Sequence, residues 1–388
     1  MMKYNLISID LEPAPYKVDL WNAFINSGRF NVDVYFTNAK DISKDAGHNY
    51  QELPDAFFVY IVLAGRGLIG VLKKISSVLN AIHISKCDGV FISGYVDAPQ
   101  LASIIYCGLF RIPFFVHSDV FNTLNPSGSL ALFKKWIRDS IRIYVFRHAS
   151  AVLVCGKLGI SSAMKAGCPA EKIIDFPYVI DVKRIMGAVP EQIPEIATLD
   201  VADNKKIIYF SGRMIARKGL AIFLEAASLL IAKNNSLDWI IWIEGDGPQF
   251  MAMQNLARKL GVSERCRFFG FVQMHLHSWL ISHSTIVVVP SIKDPWGIIV
   301  DEGMQLGKVV IASTGVGSAI DRIQDLINGV LFEPSNPPFL AAQLMKFLVN
   351  PGLLASVGRQ AKDDSSFYIP ERNVNALYDF LLASPNQK

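Results

Sequence analysis

Charge is scarce in this chain: of 388 residues only 19% are Asp, Glu, Lys or Arg, against 51% apolar. That balance excludes disorder and coiled coil and suits buried sheets covered by helices. The formal charge of +4 is too small to point to nucleic acid. Cysteine is equally sparse. Cys87, Cys107, Cys155, Cys168 and Cys266 are odd in number and lie far apart, with no C-x-x-C pair and no His at metal-ligand spacing, which implies free thiols in a reducing compartment. Long apolar runs are missing too. Met1–Ile9 is too short a stretch before Asp10 and Glu12 to be a secretory signal, and Phe57–Leu72 is broken by Arg66 and three glycines, short of the roughly 20 residues a spanning helix needs. The expectation is a cytoplasmic protein without a transmembrane anchor. Neither half has G-x-G-x-x-G after its first strand, which argues against a dinucleotide oxidoreductase. No D-x-D metal motif and no Ser-His-Asp or Cys-His constellation stands out, so neither a bound metal nor a protein nucleophile is expected.

A chain this long exceeds one ordinary core, so two domains are expected. Short β-rich runs alternate with helical patterns at Tyr4–Ile9, Val32–Phe36, Gly89–Ile92, Phe114–Val116, Ala151–Val154 and Ile173–Phe176, the signature of βαβ units and a parallel sheet. A Pro-, Glu- and Ala-rich stretch with Pro190 and Pro194 then reads as a linker over 185–204. A second series starts afresh at Lys206–Ser211, Trp239–Glu244, Arg267–Phe269, Thr285–Val289 and Val309–Ala312. The expected organisation is a first domain over 1–184, a second over 205–365, and a closing segment over 366–388 with a helix at Glu371–Leu382. Residues 1–184 hold 20 Lys and Arg against 15 Asp and Glu, a net of +5, and the remainder 18 against 19, a net of −1. The first half is therefore the one suited to an anionic surface.

Three strand ends carry the polar residues that chemistry would use. After the apolar strand ending at Val289 comes Pro290-Ser-Ile-Lys-Asp-Pro-Trp-Gly-Ile-Ile-Val-Asp-Glu-Gly-Met304, with Asp294 eight residues before Glu302. Taken alone, Asp294 before Pro295 reads as a helix N-cap with Glu302 two turns on along the same helix. That reading leaves Gly297 unexplained, since a glycine there opens the backbone to a ligand. Phe210-Ser-Gly-Arg-Met-Ile-Ala-Arg-Lys-Gly219 also follows a strand, and Gly212 with Arg213 and Lys218 supplies what a diphosphate needs, backbone amides and cations. Glu244-Gly-Asp-Gly-Pro248 is a glycine turn at a third strand end, through Gly245 and Gly247.

Together these residues resemble the retaining GT-B glycosyltransferases of family 4, the group 1 glycosyltransferases, which include sucrose synthases and polysaccharide mannosyltransferases. Asp294 to Glu302 is similar to the family's E-x7-E motif, with Asp in place of the first Glu. Gly307-Lys-Val-Val-Ile-Ala-Ser313 resembles its G-x-P-V-I-A-S strand, and Gly317-Ser-Ala-Ile-Asp321 with Asn328-Gly329 its G-G-x-P-E…N-G segment. The likeness is dense over roughly 206–334.

The resemblance implies an α/β GT-B fold, two Rossmann-like domains facing across a cleft, with a nucleotide-diphosphate sugar (UDP or GDP) in the second and a glycan or lipid-linked acceptor in the first. It implies that Arg213 and Lys218 neutralise the leaving diphosphate, that Asp294 sits against the transferred sugar, and that Glu302 holds the ribose. Gly212, Gly245, Gly247, Phe271, Val272, Trp296, Gly297 and Ile298 would complete the donor site. In the first half, Pro13-Ala-Pro-Tyr16 occupies the first strand-to-helix loop, and His117, with Asp119 as rival, stands where relatives contact the donor sugar. No cofactor or metal is implied. A GT-B sugar-nucleotide epimerase and an inactive nucleotide-sugar-binding subunit stay open. Separately, Leu132–Arg147 reads as an amphipathic helix whose Lys134, Lys135, Arg138 and Arg142 could lie on an anionic bilayer, or as an ordinary helix with an aromatic core face.

Overall fold

The computed structural model describes residues 3–38, 56, 58–63, 65, 67–95, 97–121, 129–187 and 205–383. The chain divides into two compact units, one ending at Val179 and regained at Ile369, the other spanning Ile180–Tyr368. Most of the expected linker, 188–204, lies outside the described residues, while 185–187 end a short helix.

The first unit runs β1 (Tyr4–Asp10), α1 (Pro15–Asn26), β2 (Phe30–Phe36), β3 (Val59–Val62), α2 (Gly67–Ser85), β4 (Gly89–Ser93), α3 (Ala98–Phe110), β5 (Phe114–Ser118), α4 (Ser129–His148), β6 (Ala151–Val154), α5 (Gly156–Lys165) and β7 (Ile173–Asp175). The strands form a parallel sheet in the order β3-β2-β1-β4-β5-β6-β7. Both faces are buried, which is why these strands read as near-continuous apolar runs. Leu6, Phe91, Phe115 and Leu153 point to one face with Trp21 and Phe24. Ile7, Val90, Val116 and Val152 point to the other with Val78, Ile104 and Val145. The last helix of the chain, Pro370–Ala383, belongs to this unit and packs on α1, with Arg372 Nη2 2.8 Å from Asp175 Oδ2.

The second unit runs α6 (Val182–Gly187), β8 (Lys206–Ser211), α7 (Leu220–Lys233), β9 (Trp239–Glu244), α8 (Phe250–Lys259), β10 (Cys266–Gly270), α9 (Met274–His283), β11 (Ile286–Val289), α10 (Ile299–Gln305), β12 (Val309–Ser313), α11 (Gly317–Arg322), β13 (Val330–Phe332), α12 (Pro337–Leu348) and α13 (Pro351–Ser365). Its parallel sheet has the order β10-β9-β8-β11-β12-β13. The winding reverses between β8 and β11, as it does between β1 and β4 in the first unit. Each unit is a doubly wound, Rossmann-like layer whose ligand crevice belongs at the C-terminal ends of the strands flanking that reversal.

Two expectations need correction. The apolar region thought to stop at Leu72 continues as α2 to Ser85, because a helix carries the pattern past Lys73 and Lys74. By length and composition α2 could span a membrane, yet it lies against α3 and buries only Gly70, Val78 and Ile82. Helix α10 starts at Ile299 with Ile298 as its cap, so Asp294 is no N-cap. Gly297 explains the break: its φ of +87° is left-handed and cannot continue a helix from Pro295. Instead Asp294 pairs its backbone with the segment before α11, its N–H donating to Gly315 O at 2.8 Å and its carbonyl accepting from Gly317 N–H at 3.0 Å.

Candidate functional site

The second unit gathers most of the expected residues at the β8/β11 reversal. Downstream of β8, a turn of 3-10 helix at Ala216–Lys218 ends on Gly219, and Ile292 N–H donates to Arg217 O at 2.7 Å, docking this turn on the segment after β11. Gly219 permits the approach: a Cβ there would lie 2.0 Å from Pro290 O. The docking sets Lys218 Nζ 2.5 Å from Asp294 Oδ2 and Arg217 Nη1 3.6 Å from Oδ1. Asp294 is buried, Lys218 half-buried and Arg217 half in solvent. Arg213 is exposed, and its guanidinium has no hydrogen bond or ion pair among the described residues. A buried carboxylate and its lysine thus meet at the strand ends, with Arg213 in the loop that follows β8.

The glycine turn after β9 closes one side. A Cβ on Gly245 would stand 2.0 Å from Gly212 O, and one on Gly247 2.8 Å from Met214 O. Met214 N–H donates to Asp246 O at 2.8 Å. These two glycines therefore serve close packing of the turn on the Gly212–Met214 loop, whatever they also offer a ligand. On the other side Ser318 Oγ donates to Trp296 O at 2.7 Å and contacts Gly297 O at 2.8 Å, bracing the bend before α10. The Trp296 ring is buried beneath Arg322, whose guanidinium lies 4.9 Å from its centroid. Only the Trp296 backbone is left to meet a ligand. Ile298 and Phe271 are half-buried and Val272 is buried.

Glu302, on the first turn of α10, has a partnership the sequence did not announce. Its Oε2 lies 3.3 Å from His277 Nε2, while His277 Nδ1 lies 2.9 Å from Glu244 Oε2, and the Tyr209 hydroxyl donates to the same Glu244 oxygen. A carboxylate ending the otherwise apolar strand Trp-Ile-Ile-Trp-Ile-Glu was the one visible hint. Burial opposes charge on His277, but Glu244 and Glu302 outweigh it and hold its pKa well above the usual imidazole value.

In the first unit, His117 ends β5 deep inside, 3% exposed, among Phe91, Phe176 and Tyr178. Its Nε2–H donates to Phe176 O at 3.0 Å, and burial, with Lys17 nearby, pushes its pKa down to about 3. It is a neutral imidazole with one nitrogen committed. Asp119 accepts the Tyr178 hydroxyl. Next to them the structure shows a pair the sequence reading missed: buried Lys17 Nζ, 2.8 Å from Asp10 Oδ1 and 2.6 Å from Ser93 Oγ, at the β1/β4 reversal. Among the described residues no group of three or more His, Cys, Asp or Glu could hold a metal.

The strand-end crevice with its carboxylate, lysine and arginine lies inside a segment of recognisable ancestry. Residues 192–364 match the model of the family Glycosyl transferases group 1. Most of the second unit is thus similar to that family. An uncharacterised glycosyltransferase of Methanocaldococcus jannaschii is 26% identical to this chain over 237 residues, 58% of this chain and 59% of its own length, so that match spans less than two thirds of the relative. Alpha-D-kanosaminyltransferase of Streptomyces kanamyceticus is 24% identical over 296 residues, 74% of this chain and 73% of its own. Among solved structures, HepE of Anabaena in complex with UDP is 19% identical, covers 99% of this chain and 100% of its own, and has a TM-score of 0.73. That likeness runs through both units and gives the fold as GT-B. The matched segment contains Arg213, Lys218, Asp294 and Glu302; His117 belongs to the other unit.

Proposed function

We propose that this protein is a retaining glycosyltransferase that moves a hexose-type sugar from a UDP- or GDP-sugar to a glycan or lipid-linked acceptor, in surface polysaccharide or glycolipid synthesis. The observation that carries the reading is the Lys218–Asp294 pair at the β8/β11 reversal, with Arg213 open to solvent in the same loop as Lys218. A sugar diphosphate entering there meets two cations for its phosphates and a carboxylate for its sugar. That HepE binds UDP and UDP-glucose supports a nucleotide-sugar donor.

In the reaction so read, the bond from the anomeric carbon to the diphosphate oxygen breaks as Arg213 and Lys218 take up the charge that develops there. The acceptor hydroxyl attacks the same face and passes its proton to the departing phosphate oxygen, so configuration is retained. Asp294 stabilises positive charge at the anomeric carbon, and Glu302 holds the ribose hydroxyls. The two cations do the work a metal does elsewhere, and none is required. The acceptor binds the first unit, and His117, with Asp119 as rival, keeps the role that the resemblance implies, a contact to the donor sugar.

The first unit also supports peripheral contact with the cytoplasmic face of an anionic membrane. On α4, Leu132, Phe133 and Trp136 are exposed beside Lys134, and on α2 and α3 Leu68, Ile69, Leu109 and Phe110 are exposed as well. Helix α4 buries Val145 and Phe146 in the core, so it is the part around Leu132–Trp136 that offers this apolar surface. Incubating the protein with UDP- and GDP-sugars, with and without lipid-linked glycan, tests the whole reading. Product must form only with acceptor and keep the donor's anomeric configuration. Epimer formation without acceptor would instead make the protein an epimerase.

A further inference from the structure

The residues Tyr209, Glu244, His277 and Glu302 form one polar cluster in the second unit. Buried polar groups of this density cost desolvation that apolar residues would avoid. Its geometry is specific. Strands β8 and β9 run side by side with Tyr209 opposite Trp242, and the Tyr209 hydroxyl reaches Glu244, two residues further along β9. Helix α9 crosses there and drops His277 between Glu244 and the first turn of α10. Each ring nitrogen faces a carboxylate, at 2.9 and 3.3 Å, and the Tyr209 hydroxyl adds a donor to Glu244. Both nitrogens can donate only in the imidazolium. Glu302 Oε1 has no hydrogen bond among the described residues, so the carboxylate keeps acceptor capacity for a ligand.

We infer that His277 is a positioning residue of the nucleotide site: held as an imidazolium between Glu244 and Glu302, it fixes the Glu302 carboxylate to receive the ribose hydroxyls. The inference rests on the role of Glu302 in the proposed glycosyl transfer. Without the imidazolium, the two carboxylates would face the same space with no cation between them. Glu302 would then be free to turn. The ionisable groups facing the ring are Glu244 from β9, Glu302 from α10 and Tyr209 from β8; α6, which packs on α9, carries Lys183 and Arg184, and α9 itself adds His275. The direction of the His277 shift, upward despite burial, agrees with a ring that stays charged through neutral pH.

Titration calorimetry with UDP and with GDP, from pH 6 to 9, tests this on the full chain. Wild-type affinity should be nearly flat up to pH 8. His277→Gln keeps the volume and one N–H but not the charge; it should bind about 10- to 100-fold more weakly, as for a lost charge-assisted bond, with the gap to wild type narrowing only as the wild-type ring loses its proton at alkaline pH. Glu244→Gln should retain most affinity, because the ring then pairs with Glu302 alone. Nitrogen-15 spectra of the wild-type imidazoles give a readout independent of variant folding: both His277 nitrogens should be protonated at pH 8. A neutral His277 at pH 7, or unchanged affinity and pH profile in His277→Gln, would overturn the inference. If Glu302→Gln still weakens binding in that case, the glycosyl-transfer reading survives. If Glu302→Gln binds like wild type, or wild type binds neither nucleotide, that reading fails and the inference with it.

Discussion

Lys218 and Asp294, 76 positions apart in sequence, meet at 2.5 Å between Nζ and Oδ2 where the second sheet reverses direction. The contact joins the segments that follow β8 and β11, the two strands flanking the crevice. It also separates two roles for Asp294, since a helix cap would have no use for a lysine.

Asp294→Asn should chiefly lower turnover, while free nucleotide binds as in wild type, because the carboxylate acts on charge that exists only in the transition state. Near-native turnover would return Asp294 to a structural role. Lys218→Ala should cost about 2 to 4 kcal/mol of transition-state stabilisation. It should also lower the melting temperature, since it leaves a buried carboxylate with Arg217, at 3.6 Å, as its cationic partner.

Arg213 offers the complementary case. Its exposed side chain makes no contact that folding needs, so Arg213→Ala should change stability by no more than about 0.5 kcal/mol while lowering kcat/KM by a comparable 2 to 4 kcal/mol, roughly. In the same assay, a chelator should leave activity intact. Strict dependence on added magnesium or manganese would show that the two cations do not suffice.

Gly245→Ala probes the packing of the glycine turn. The residue has φ of +121°, and its new Cβ would stand 2.0 Å from Gly212 O. Thermal unfolding should show a loss of about 2 kcal/mol or more, as the backbone must move and cannot yield as a flexible side chain would. A melting temperature within a degree of wild type would mean that the turn is free to shift.

The two buried histidines titrate in opposite senses. His117 is held neutral down to about 3, so below the unfolded value of roughly 6.5 the unfolded chain binds a proton that the native state refuses, and stability falls as pH falls. His277 is raised, so its contribution is fully present below roughly 6.5 and is lost as pH climbs through its elevated value. Denaturant unfolding should therefore show His117→Gln to be less acid-labile than wild type. The stability gap between wild type and His277→Leu should narrow toward alkaline pH.

Membrane contact predicts its own signature. Replacing Lys134, Lys135 and Arg138 with Gln should weaken binding to anionic vesicles by on the order of 1 kcal/mol per charge facing the lipid, with wild-type binding falling as salt rises. Lys135 and Arg142 both lie near Asp139, at 3.6 and 3.3 Å, so Lys134 should contribute most. Phe133→Ser with Trp136→Ser should release the protein at any salt concentration. Unchanged partition in both variants would assign that face another partner.

The doubly wound architecture was legible in the sequence because parallel strands covered on both faces write themselves as short apolar runs, each followed by a helix. The motif residues were legible for a related reason: glycines and charges at strand ends break that pattern locally. Val59–Val62 and Val330–Phe332, both edge strands, escaped notice because a run of three or four residues at a sheet edge carries little periodic signal. Position along the chain determined which residues stand at strand ends. Only the tertiary structure decided which of them touch. The left-handed Gly297 ends the helix that Asp294 and Pro295 seem to begin, and the reversal of the sheet sets Lys218 against Asp294. The crossing of α9 over β8 and β9 places His277 between two carboxylates 58 positions apart. Contacts of that kind arise where strands distant in sequence lie side by side, and no local pattern encodes them.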